Sequence, residues 1–207
     1  MGAPEAAIAP LRFLRDVFAC ATCPPVVADG IALHPYTLRW APSFPGPRPD
    51  DVTLGSLPRL TRMTDRLVRA GKLRSATGRR LDLYLTEYGF FAGYARIPEP
   101  RRAVYAWQAY DVALRAPRVR QLVWYQIAQP PRTNARLWDT ALLSRSGRPR
   151  LTHRALRSWA REHRRSLAPL LARRPSRARA SPSSSRRDRG PAAPGAWPRP
   201  GQVRRTR

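Results

Sequence analysis

Apolar positions along this chain switch between two periods. Ile8, Leu11, Leu14 and Phe18 recur every three or four residues, and Phe13 and Val17 widen that stripe, which predicts an amphipathic helix over residues 5–19. Val26 to Leu33 is a short apolar run that reads as a strand and ends in His34-Pro35-Tyr36. Residues 37–50 hold Pro42, Pro45, Pro47 and Pro49 and read as a loop. Asp50-Asp51 then opens a helix whose buried stripe is Leu54, Leu57, Leu60, Thr64, Leu67 and Val68. Pro58 sits near its first turn and Gly71 ends it. Leu81, Leu83 and Leu85 alternate with Asp82, Tyr84 and Thr86, giving a strand that stops at Glu87-Tyr88-Gly89.

A proline-bearing loop leads to a helix at residues 101–115, with Val104, Trp107, Tyr110, Val112 and Leu114 on its apolar side. Val119 to Ile127 reads as the third strand. A loop with Trp138, Leu142-Leu143 and Gly147 follows, then a last helix from Thr152 to Arg165 with Leu151, Ala155, Leu156 and Trp159 facing in. Each pair of strands is separated by a helix-length segment, which implies α/β architecture with a parallel sheet and helices packed outside it. All three strands end in polar or aromatic groups: His34 and Tyr36, Glu87 and Tyr88, Trp124 and Gln126. In a parallel sheet these ends share one rim, the rim that carries the active site when such a sheet closes into a barrel.

Composition changes this picture at the ends. A net charge of +26 invites a nucleic-acid reading, yet Lys72 is the only lysine and eleven arginines lie in residues 171–207. That Pro/Ser/Arg/Ala segment cannot bury enough apolar surface to order itself, so residues 169–207 are expected to be a disordered basic tail behind a domain at residues 1–168. Salt-sensitive, non-specific nucleic-acid binding through that tail is expected. No run of about 18 apolar residues suggests a membrane span. Met1 to Pro10 contains no Lys or Arg and lacks the layout of a signal peptide. Cys20 and Cys23 form a lone C-x-x-C with no second pair for zinc, so two packing thiols or a single bridge is expected, with no metal and no organic cofactor.

The strand ends resemble the C-terminal part of a retaining (β/α)8 glycoside hydrolase of the large clan that holds family 5 cellulases and family 39 xylosidases. Asp29-Gly-Ile-Ala-Leu-His34-Pro35-Tyr36 is similar to that clan's sixth strand, and Thr86-Glu87-Tyr88-Gly89 to the end of its seventh. Val123-Trp124-Tyr125-Gln126 is similar to the end of the eighth. Trp138, Leu142-Leu143 and Gly147-Arg148-Pro149-Arg150 resemble the segment before the last helix, so the likeness covers about residues 5–165. It implies a partial TIM barrel, strands six to eight with their helices. It implies Glu87 as nucleophile, Tyr36 orienting it, His34 lining the same wall and Trp124 stacking under the sugar. Tyr88, Gln126 and Trp138 complete the implied carbohydrate-binding set. It also implies an extracellular location for an intact relative, against a cytoplasmic one for the chain as written.

One departure tempers the implied activity. Retaining hydrolysis needs a second carboxyl about 5–5.5 Å from the first. The clan's Asn-Glu pair has no counterpart, since the only asparagine is Asn134. The expectation is therefore a truncated, hydrolytically incompetent piece that associates with a missing half or with itself. Two alternatives stand beside it: a non-catalytic carbohydrate-binding half barrel, and a basic nucleic-acid-binding protein.

Overall fold

The computed structural model describes residues 8–92, 97–129 and 139–166. Its elements run α1 (Pro10–Val17), β1 (Val26–Ala28), β2 (Gly30–Leu33), a 3-10 turn (Leu54–Ser56), α2 (Leu57–Arg69), β3 (Leu73–Ser75), β4 (Asp82–Tyr88), α3 (Glu99–Arg115), β5 (Val119–Trp124) and α4 (Leu151–Glu162). Strands β2, β4 and β5 form a three-stranded parallel sheet with β4 in the middle. Strands β1 and β3 make a separate parallel pair. Spatial order follows chain order, as successive βα units wound in one direction require, and the helices pack against one face of the sheet. This is a mixed α/β fold with parallel sheets; three strands are a portion of such a winding and do not make a barrel. The expected basic tail lies outside the described residues.

The core lies between that face and the helices. Leu83 and Leu85 of β4 meet Leu57, Leu60 and Met63 of α2 and Ala106 and Ala109 of α3, all buried. Each large aliphatic side chain so buried contributes about 1.5–3 kcal/mol. Helix α3 differs from its expected pattern. Its buried stripe is Arg102, Ala103, Ala106, Ala109 and Ala113, while Val104 is half-exposed. A small-residue stripe lets the helix lie close on the sheet, and a reading weighted toward large apolar residues passes over it.

Other elements also depart from expectation. The first helix buries Leu11, but Phe13 and Val17 are exposed to about half their area. The single expected strand at 26–33 is two strands broken at Asp29, each with its own partner, and β3 was not expected. Helix α2 starts at Leu57, because Asp50 and Asp51 are engaged elsewhere: Asp50 accepts from Arg15 at 2.9 Å, which holds its carboxyl below the usual range, and Asp51 accepts the Arg48 N–H. Thr53 and Ser56 cap the turn reciprocally. Strand β5 stops at Trp124, leaving Ile127 exposed. Cys20 and Cys23 are joined in a disulfide.

Candidate active site

Register explains how the rim is built. Leu33 of β2 pairs with Leu85 of β4, so the residues following each strand emerge side by side. On β4, strict alternation would place Glu87 on the same face as Leu83 and Leu85, pointing into the helices. The ladder prevents this. Leu85 pairs with Leu122 and Tyr88 with Trp124, so three steps on β4 oppose two on β5. The extra residue is a bulge, a device that re-aims a side chain next to a strand end. Tyr88 takes over the buried face, at 0% exposed, and Glu87 turns to the rim with its side chain 31% exposed.

Two groups converge on Glu87. The Tyr36 hydroxyl donates to Oε2 at 3.4 Å, and His34 Nδ1 lies 3.4 Å from the same oxygen. Both contacts are long against an O–H···O mode of about 2.7–2.8 Å. Oε1 accepts no hydrogen bond among the described residues. The Tyr36 ring is stacked 6.1 Å from both Tyr88 and Phe91. Burial, then the Glu87 charge and the hydrogen bond to it, push the Tyr36 phenol well above its ordinary range, so it stays a proton donor.

The remaining expected site residues divide. His34 stands on the rim, half-exposed. Tyr88 belongs to the core, where its hydroxyl bonds Thr37 Oγ1 at 3.1 Å and burial raises its pKa. Trp124 is 8% exposed, edge-on to Tyr88, with its indole N–H donating to the Thr140 carbonyl at 2.8 Å. These two rings pack behind the rim. Gln126 keeps its side-chain oxygen buried and without a partner among the described residues. Trp138 lies outside the described residues.

Tyr125 was not anticipated. Leu122 and Trp124 occupy the helix side of β5, so the next residue faces the other way, and Tyr125 is near enough for its charge to add to the rise of the Tyr36 pKa. Alternation counted from Leu122 would have found it. Trp40, half-exposed and stacked 5.1 Å from Phe44, is a second unanticipated aromatic, in the loop after Tyr36.

Behind the rim, Arg102 is fully buried. It donates to the carbonyls of Phe90 at 3.0 Å, Thr140 at 3.3 Å and Ala141 at 3.4 Å, and pairs with Glu99. Burial lowers its pKa while Glu99 opposes that fall. Thr140 in turn donates to the Tyr125 carbonyl. Gly89 fits against this knot, since a Cβ there would lie 2.6 Å from the Tyr125 oxygen. Glu99 also accepts from Thr152, and Asp139 is held by Arg150 at 2.7 Å, so both acids are committed to structure. Among the described residues no three or more His, Cys, Asp or Glu side chains gather as a metal site.

No protein-family model and no curated protein matches the chain. Among solved structures it is similar to a family 39 glycoside hydrolase from the gut symbiont Bacteroides cellulosilyticus WH2. The TM-score is 0.52 and the identity 21%, over 64% of this chain and 26% of that one. A GH2 beta-galacturonidase from Eisenbergiella tayi, bound to galacturonate, aligns at a TM-score of 0.43 and 12% identity, over 65% of this chain and 24% of that one, which is too weak to argue from. The chain thus spans about a quarter of the length of these enzymes. The likeness to the first is one of fold: this chain carries a glycoside-hydrolase-like fold.

Proposed function

We propose that Glu87 is the nucleophile of a retaining glycoside hydrolase, with Tyr36 as its positioning partner and a carbohydrate as substrate. The observation that carries the reading is the bulged end of the central strand. It turns one carboxylate out to the rim, holds one of its oxygens between Tyr36 and His34, and leaves the other without a hydrogen bond among the described residues. Oε1 attacks the anomeric carbon as the glycosidic bond breaks and its electron pair leaves with the aglycone oxygen, giving a glycosyl-enzyme. Tyr36, held neutral, donates to the carboxylate and keeps it ionised and aimed. In this reading Tyr125, beside Tyr36, meets the sugar, and Tyr88 and Trp124 support the wall from behind. Ordinary leaving groups also need a second carboxyl as acid, and the sequence holds no Asn-Glu pair to supply it.

The test uses 2,4-dinitrophenyl glycosides, whose leaving group departs without a proton. On a panel of β-glucoside, β-xyloside, β-mannoside and β-galactoside, at least one is expected to release a burst of dinitrophenolate approaching one equivalent per chain. Glu87→Gln abolishes it. Bursts from none of the panel, or a burst that survives Glu87→Gln, would refute the proposal. Sugar binding without a burst would favour a carbohydrate-binding role.

A further inference from the structure

A cavity of about 590 Å³ lies between helices α2 and α3 near the start of β4. Its floor is aliphatic: Leu54, Leu57, Leu83, Val112, Ala116 and Val119. It lies four residues, roughly 13 Å, along β4 from Glu87, at the opposite end of the strand. Its lining holds no aromatic platform for a sugar ring. Its size falls in the range of about 300–1,000 Å³ usual for small-molecule sites.

The charges at its edge are unbalanced. Asp65 is the sole acid among the lining residues, and Arg118 consumes it at 2.8 Å while also donating to the Leu81 carbonyl at 2.7 Å. Arg80 and Arg115 also line the groove, are exposed, and make no side-chain hydrogen bond or ion pair among the described residues. An apolar trough edged by two uncommitted guanidiniums matches a ligand with a hydrocarbon body and an anionic head. Guanidinium forks suit a planar carboxylate.

We propose that this groove binds a small amphiphilic carboxylate, such as a medium-chain fatty acid, with its chain over Leu83 and Val112 and its head between Arg80 and Arg115. The proposal does not depend on the activity assigned to Glu87. Titration calorimetry of the full chain with decanoate below its micellar concentration, alongside methyl NMR, tests it. One decanoate per chain is expected, with shifts at the methyls of Leu83, Val112 and Val119. The double variant Arg80→Glu/Arg115→Glu, which alters only exposed side chains, should weaken binding at least about tenfold. Thr61→Phe, which fills the groove from α2, should remove it, and decyltrimethylammonium should not bind. No binding, several decanoates per chain, an unchanged affinity in the charge-reversed variant, or equal binding of the cationic amphiphile would each overturn the assignment.

Discussion

The two faces of β4 hold residues from one seven-residue strand under opposite conditions. On one, Leu83 and Leu85 are 1% and 0% exposed beneath α2 and α3. On the other, Asp82, Tyr84 and Thr86 remain partly exposed, Asp82 pairing with Arg120 at 2.9 Å. The Tyr84 ring lies over β2 where Gly30 leaves room, since a Cβ there would be 2.6 Å from it. The helix-covered face supplies stability, and the partly exposed face ends in the rim that carries the proposed chemistry. Glu87 changes sides because of a single extra residue. The proposed function rests on this irregularity, one of two register shifts along the β4–β5 ladder.

The sharpest contrast between the faces is electrostatic. Arg102→Met takes the side-chain donor from the Phe90 carbonyl and the buried cation from Glu99 behind the rim, and should cost about 3–5 kcal/mol in urea denaturation. Arg120→Met, on the partly exposed face, should cost less than about 1 kcal/mol. Equal costs would end the division. Leu85→Ala opens a cavity in the covered face and should cost about 2–5 kcal/mol, against about 0.5 kcal/mol or less for Thr86→Ala, measured the same way.

Alkaline pH separates the tyrosines similarly. Burial raises the phenols of Tyr36, Tyr88 and Tyr110, the last pushed up to about 12. Unfolded tyrosines release their protons near pH 10. The stabilisation these groups give is therefore whole below about pH 10 and is lost as pH rises through their native values. Spectrophotometric titration of the native protein should find three of the seven tyrosines refractory until unfolding. Ionisation of all seven in a folded protein would contradict their burial. Tyr88→Phe, which removes the bond to Thr37, should cost about 1 kcal/mol by thermal melting.

Much of this was legible in the sequence, for identifiable reasons. The strand at Glu87 follows from alternating leucines, and the parallel winding from the spacing of strands and helices. The meeting of Glu87 with Tyr36 and His34 follows from the shared rim. The bulge was not legible, because a register shift depends on the partner strand, and so Tyr88 was placed at the rim when it lies inside. The family resemblance pointed to Trp124 as the sugar platform, although counting from Leu122 assigns the outward position to Tyr125. The break at Asp29 escaped because both halves are equally apolar and only their different partners separate them.

The central claim, that Glu87 is a nucleophile turned out to the rim, is tested most directly by trapping it. The full chain is incubated with 2,4-dinitrophenyl 2-deoxy-2-fluoro-glycosides, digested with trypsin and mapped by mass spectrometry. A fluoroglycosyl adduct on Glu87, within the peptide Leu81–Arg96, is the predicted result. An adduct on another residue, or none with any sugar of the panel, would contradict it.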